Sequence, residues 1–116
     1  FGLLGHLLEV CEGSNVSAEI NYSKVPIFEE IHTYLDQKCV PGGTIRNWES
    51  YGHKVTLEDE KRRHILCDPQ TSGGLLIAVK KEASQKVAAI LKSKGLFAEP
   101  IGTLIEKSAA PVYIND

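Results

Sequence analysis

The chain of 116 residues has no methionine, one tryptophan and three cysteines, and aromatic residues make up only 7% of it. It also has no run that approaches the ~18 consecutive apolar residues that a membrane-spanning helix needs. Its first ten residues carry no basic leader, so we expect no signal peptide and no membrane partner. The formal net charge of −2 argues against a general nucleic-acid binder, which would carry a basic face.

The absent methionine and the first residues together predict a fragment. A complete translated protein begins with methionine, whereas this chain begins with Phe1 inside a helical pattern that no capping residue precedes. The apolar fraction of 42% and the charged fraction of 24% are typical of a globular protein, and the length suffices for one core. We therefore expect residues 1–116 to be a single domain of a longer protein, truncated at its N-terminal helix, with the missing part upstream.

The three cysteines, Cys11, Cys39 and Cys67, are odd in number and far apart. This usage is typical of reduced thiols in the cytoplasm rather than of a disulfide framework. Neither they nor the four histidines show the short paired spacing of a structural zinc site, so we predict no metal site in this chain. No sequence feature indicates a lowered thiol pKa at Cys67, which favours a structural cysteine there over a nucleophile.

Apolar periodicity predicts the order of the elements. The first expected helix has its apolar face within residues 3–11 and ends at Gly13-Ser14-Asn15, and the other expected helices cover residues 26–39, 44–50 and 82–94. The expected strands cover residues 16–22, 75–79, 101–106 and 112–114. Residues 75–79 are continuously apolar, which predicts a strand covered on both faces. In the charged stretch 53–63, expected ion pairs of Glu58 with Arg62 and of Asp59 with Arg63 favour a solvated helical turn. This order predicts an α+β fold in which helices cover a small mixed β-sheet.

Residues 67–76 read Cys-Asp-Pro-Gln-Thr-Ser-Gly-Gly-Leu-Leu and are the most informative stretch of the chain. Thr71 and Ser72 provide hydroxyls, and Gly73 and Gly74 leave the backbone N–H groups accessible. Such a turn suits an anion such as phosphate. A tight entry turn to a buried strand would use the same glycines, and local chemistry alone favours this second interpretation.

Another glycine loop, the first of the two in chain order, opens the helix expected at 44–50. It contains Gly42, Gly43 and Thr44, and Arg46 and Asn47 follow within the next turn. Free N–H groups at a helix start, a hydroxyl and an arginine can together hold a phosphate. A plain helix cap with Arg46 in solvent explains the same residues equally well. Two such loops in one small domain make a shared anionic ligand more plausible than either loop does alone.

Three motifs occur in the order and with the spacing of a known family. They are Phe-Gly-Leu-Leu-Gly-His at 1–6, Pro-Gly-Gly-Thr-Ile-Arg-Asn at 41–47, and the ten residues 67–76 quoted above. On these residues the chain resembles the C-terminal half of selenophosphate synthetase (selenide, water dikinase), a family of the aminoimidazole ribonucleotide synthetase superfamily. The third motif is the most specific of the three, and the remaining segments match only in element order and apolar pattern.

The resemblance implies an ATP-dependent phosphotransferase that makes selenophosphate from selenide, water and ATP in the presence of magnesium, releasing AMP and phosphate. It implies an upstream N-terminal domain that forms the homodimer, supplies most of the ATP and magnesium site, and carries the reactive Cys or selenocysteine with its lysine. It implies no catalytic residue and no metal ligand in this chain, so the fragment alone is expected to be inactive. Both glycine loops would help to close the site, with Thr44, Arg46, Asn47 and the 71–74 loop facing the phosphates or the selenium path.

Two other interpretations stay open. Another ATP-dependent enzyme of the same superfamily would lack the upstream segment with the Cys or selenocysteine and the lysine. A free-standing interaction module would use its exposed first helix to bind a partner protein. The glycine loops could also serve only for close packing between domains.

Overall fold

The computed structural model describes all residues from 1 to 116 and shows an α+β fold, as the sequence predicts. The helices are α1 (Gly2–Ser14), α2 (Glu30–Asp36), α3 (Gly42–Tyr51), α4 (Glu60–Leu66) and α5 (Ser84–Ser93). The strands are β1 (Val16–Asn21), β2 (Val55–Thr56), β3 (Gly102–Glu106) and β4 (Val112–Asn115). None of the helices has the length and apolar character needed to cross a membrane.

The four strands form one mixed sheet in the order β2-β4-β1-β3. β1 runs antiparallel to β3 and parallel to β4, and β2 runs parallel to β4. Because β3 and β4 lie on opposite sides of β1, the connection 107–111 must cross that strand. The buried hydroxyl of Ser17 holds this crossing, since it donates to the carbonyl of Ala110 and accepts the N–H of Ser108, both at 2.9 Å.

α1 and β1 lie where the apolar pattern predicts them. Leu4, Leu7 and Leu8 are buried because positions three and four apart share one side of a helix. Asn15 ends α1 in the left-handed conformation, with φ 54° and ψ 46°, and its N–H donates to the carbonyl of Cys11. The alternating strand pattern that follows is confirmed as β1.

The core lies between α1, the middle of the sheet and the end of α4. Leu4 packs in one cluster with Ile20, Val112 and Leu66, and burying each such side chain contributes about 1.5–3 kcal/mol. Gly2 allows the start of α1 to touch the end of α4. Its φ is +73°, and a Cβ atom there would lie 2.7 Å from the carbonyl carbon of Cys67. This contact places the residues that follow α4 beside α1.

The strand predicted over residues 75–79 is wrong for this structure. Residues 71–79 form no strand, and none of their backbone groups takes part in a backbone–backbone hydrogen bond. Leu75 is 90% exposed, and Leu76 is the residue of this run that packs against the core. An apolar run becomes a strand only where a neighbouring strand pairs with it, and no strand of this chain does so.

Two helices differ from their predictions in length or in burial. α2 begins at Glu30 rather than near Pro26, and none of its residues is buried. α5 lies within the predicted range, and Gly95 follows it with a φ of +68°, as expected for a residue just beyond a helix C-terminus. However, the apolar face of α5 is not buried either. The apolar periodicity predicted both helices, but it does not indicate which other element their apolar faces pack against.

The ion pairs predicted within residues 58–63 do not form. Asp59 instead caps α4 by accepting the N–H of Arg62 at 2.8 Å. The side chain of Arg62 binds the carboxylate of Asp116 at the end of the sheet. The charged stretch therefore joins α4 to the C-terminal strand rather than forming a purely solvated face.

Tyr51 connects the end of α3 to the start of α1. Its hydroxyl donates to the carbonyl of Phe1 at 2.5 Å and lies beside the thiol of Cys67. Burial and this neighbouring thiol raise the pKa of Tyr51 well above its usual range. Burial also raises the pKa of the Cys67 and Cys11 thiols. All three groups are therefore neutral in the folded chain near pH 7.

We expect the wild-type chain to lose stability relative to a Tyr51→Phe variant as the pH rises above about 10. The pKa of Tyr51 is higher in the folded than in the unfolded state, so the unfolded state releases the phenolic proton first and is favoured as the pH increases. Denaturant midpoints of both chains, measured between about pH 8 and about pH 11, test this expectation. A difference between the two chains that stays constant across this range would contradict it.

Candidate functional site

The first glycine loop forms the N-terminal turn of α3. Gly42, Gly43 and Thr44 occupy its first three positions, after Pro41. No side chain caps this end, and the N–H groups of Gly42 and Gly43 have no acceptor within the helix. These donors are free at the end of the helix that carries partial positive charge.

The side chain of Arg46 folds back over this turn. A Cβ atom at Gly42 would lie 3.3 Å from Nη1 of Arg46, so the guanidinium lies beside the first residue of the helix. Arg46 is exposed and pairs with no carboxylate. A full positive charge and free N–H donors therefore lie together at one accessible point, which is the chemistry that binds phosphate.

Thr44, the third residue of this helix, has a buried side chain whose hydroxyl is unsatisfied. The residue is 1% exposed, and its Oγ1 is the single buried side-chain oxygen or nitrogen without a hydrogen-bond partner. A buried hydroxyl left unpaired costs about 1–3 kcal/mol. Such an atom in a native fold calls for a partner, which a bound ligand or an ordered water can supply.

Gly43 and Asn47 bring the second loop against α3. A Cβ atom at Gly43 would lie 2.8 Å from Cγ of Pro69, and Nδ2 of Asn47 donates to the carbonyl of Cys67 at 2.9 Å. Asn47 therefore holds the start of the second loop instead of being a free donor at this nitrogen. Sequence reasoning missed Pro69 and the Cys67 carbonyl because nothing local marks a contact between residues so far apart in the chain.

The glycine end of the second loop does not reach α3. Thr71, Ser72, Gly73 and Gly74 are all exposed, and none of them makes a hydrogen bond to that helix. The side chain of Gln70 covers Gly73, whereas nothing lies within 4 Å of a Cβ atom built on Gly74. The structure thus brings residues 67–69 to the site but leaves 71–74 in solvent, and a ligand role for these four residues stays a prediction.

Other chemistry has no support in this chain. No three His, Cys, Asp or Glu side chains converge to hold a metal ion. Cys67 is fully buried, and burial raises the pKa of its thiol although the Tyr51 hydroxyl and the Arg63 guanidinium act in the opposite direction. A buried thiol with a raised pKa is a poor nucleophile, which agrees with a structural cysteine.

Comparison with curated proteins finds relatives named "Selenide, water dikinase". The "Selenide, water dikinase" of Aeromonas hydrophila is 55% identical over 104 residues, which cover 90% of this chain and 30% of that protein. Those of Pseudomonas putida and Haemophilus influenzae are 47% and 49% identical over 114 and 115 residues, 98% and 99% of this chain and 33% of each protein. The chain therefore spans about a third of the length of these relatives, and its resemblance to selenophosphate synthetase is confirmed.

A family model matches nearly the whole chain. Residues 1–114 match the family described as AIR synthase related protein, C-terminal domain. The match includes β1, β2, β3, all of β4 but its last residue, and both glycine loops. This chain belongs to the AIR synthase related protein family, as its C-terminal domain.

Proposed function

We propose that the chain is the C-terminal domain of an ATP-dependent selenophosphate synthetase and helps to close its phosphate site. The parent enzyme would convert selenide, ATP and water to selenophosphate, AMP and phosphate in the cytoplasm. The names of the relatives and the family match support this assignment. The whole of residues 1–116 would be one domain that packs on its own N-terminal domain within a homodimer.

One observation carries the proposal, namely the first turn of α3. Free N–H donors at Gly42 and Gly43, the guanidinium of Arg46 and the unpaired hydroxyl of Thr44 lie within that one turn. Phosphoryl transfer depends mainly on positioning and on neutralising negative charge, and these groups provide both. ATP, when bound, supplies the phosphoryl group.

This chain has no cluster of metal ligands of its own, since no three His, Cys, Asp or Glu side chains converge in it. Magnesium in phosphoryl-transfer sites is held by one or two carboxylates together with substrate phosphates and water. The magnesium ligands and most of the ATP contacts would then belong to the absent N-terminal domain. The role of this chain would be to orient phosphate oxygens through its N–H groups, Arg46 and the Thr44 hydroxyl. Alone, the chain should show no turnover.

Replacing Thr44 by valine tests the proposal because we expect it to lower turnover of the parent enzyme without lowering the stability of the chain. Valine has nearly the same shape but removes an unpaired buried hydroxyl, so we expect the free energy of unfolding of the chain to stay constant or to rise by about 1 kcal/mol. In the parent enzyme the same change removes a hydrogen bond to the bound phosphate and should lower turnover about 3- to 10-fold. Denaturant unfolding and steady-state kinetics measure the two effects.

Thr44→Ser is the matched control. It keeps the hydroxyl and removes only a methyl group from a buried position, so it should lower stability by about 1 kcal/mol and leave turnover close to normal. If Thr44→Val retains full turnover in the parent enzyme, the hydroxyl does not contact the ligand and the proposed site at α3 loses its main support.

A further inference from the structure

The chain exposes more surface than its size requires. Its accessible surface is 8217 Å², whereas a compact monomer of 12.7 kDa exposes about 6,200 Å². The excess of roughly 2,000 Å² is well above the ~800 Å² that each partner contributes to a standard stable interface. An area of this size is typical of an obligate contact.

The exposed apolar residues are concentrated in residues 75–97. This stretch contains six of the eleven large hydrophobic residues that are exposed: Leu75, Ile77, Val79, Ile90, Leu96 and Phe97. Leu104 on β3 is a seventh, and β3 pairs only with β1, so the outer edge of that strand is free. Scattered single apolar residues are normal on a protein surface, whereas a concentration of them in one stretch of the chain marks an interaction site.

The backbone of this stretch also lacks partners. Residues 71–79 make no backbone–backbone hydrogen bond, although 75–79 have the continuous apolar pattern of a strand covered on both faces. Unpaired backbone groups in an apolar segment are a template for pairing with another chain segment. The partner must therefore offer strand pairing as well as apolar cover.

The charge of the stretch restricts the partner further. Five lysines and one glutamate lie within residues 80–94, in a chain whose net charge is −2. The lysines are Lys80, Lys81, Lys86, Lys92 and Lys94, and all are exposed. A complementary surface would have an apolar centre and an acidic rim.

We propose that residues 75–97 and the outer edge of β3, together called the docking face, are the surface on which the remaining two thirds of the parent protein packs. This inference rests on the proposed function, in that it takes the chain as one domain of a larger enzyme. The relatives extend well beyond the matched third, and a covalently linked partner has a high effective concentration. Residues 75–79 gain their backbone partners in that contact, which also orders the adjoining 71–74 loop.

Hydrogen exchange in the isolated chain and in the parent enzyme tests the inference. We expect peptides that cover residues 71–79 to exchange at least 100-fold more slowly in the parent enzyme, while β1 exchanges slowly in both. Equal rates in the two proteins would overturn the inference. Slow exchange in the isolated chain would also overturn it. In that case a monomer would indicate pairing with the chain's own β3 edge, and a concentration-dependent dimer would indicate a second copy.

A substitution in the docking face gives a second test that does not depend on hydrogen exchange. Ile77→Asp should leave the unfolding midpoint of the isolated chain unchanged, because Ile77 is exposed there, and should lower the midpoint of the parent enzyme. Phe28→Asp is the matched control at an exposed aromatic residue outside the docking face. Equal losses at both positions would overturn the assignment to this face. These readouts involve neither phosphate nor turnover, so the inference can stand even if the Thr44 test removes the proposed site at α3.

Discussion

Replacing Arg46 by alanine should lower the turnover of the parent enzyme by about 10- to 100-fold. A charge-assisted hydrogen bond from a guanidinium to phosphate contributes about 1.5–3 kcal/mol, which corresponds to this factor. Arg46 is exposed and pairs with no carboxylate, so its loss should leave the fold and the unfolding midpoint unchanged. Steady-state kinetics of the parent enzyme would measure the turnover, and denaturant unfolding of the same variant would measure the midpoint.

Two further variants separate the contributions to turnover. Arg46→Lys tests the guanidinium geometry apart from its charge, and Arg62→Ala is a control for the loss of an arginine that only stabilises the fold. Lysine keeps the positive charge but not the planar pair of donors, so turnover should fall less than in the alanine variant. Arg62 lies over the ring of Tyr22 and binds Asp116 away from the first turn of α3, and its loss should lower stability while turnover stays normal. Normal turnover in Arg46→Ala would remove Arg46 from the site.

Replacing Gly102 by valine should destabilise the chain by about 3 kcal/mol or more, a large part of the 5–15 kcal/mol typical of a small domain. A Cβ atom at Gly102 would lie 2.2 Å from the carbonyl oxygen of Glu19 and 3.0 Å from Cα of Ile20. Both atoms belong to the backbone of β1, so β1 and β3 must separate to admit any side chain. Denaturant unfolding monitored by circular dichroism would report the loss.

Thr103→Val provides the control for Gly102→Val. Thr103 is exposed on the same strand and is already β-branched, so the change should alter the free energy of unfolding by less than about 0.5 kcal/mol. If Gly102→Val unfolds at the same denaturant concentration as the wild type, the pairing of Ile20 with Gly102 in the β1–β3 register is wrong.

Local sequence patterns were sufficient to predict those elements whose position depends only on residues nearby in the chain. The apolar face of α1, its end at Asn15 and the alternation of β1 are all visible in the sequence, and the structure confirms them. The helix opened by the first glycine loop is confirmed as α3, and the proximity of Arg46 to Gly42 follows from helical spacing. These features depend on neighbours within one or two turns, which a sequence displays directly.

Contacts between distant segments were not predictable in this way. Nothing near Asn47 indicates that it binds the carbonyl of Cys67, and nothing near Thr44 indicates that its hydroxyl is buried without a partner. The strand predicted over residues 75–79 does not form, because a strand requires a pairing strand and this chain does not provide one for them.

The sequence by itself determined the family, the α+β class and the residues of both glycine loops, because motifs and periodicity are local properties of the chain. Only the tertiary structure decided which of those residues meet. It placed Gly43 against Pro69, and it left Gly74 in solvent. The physical reason is that burial and hydrogen bonding between distant segments depend on how all the elements pack together, and this packing is a property of the whole fold.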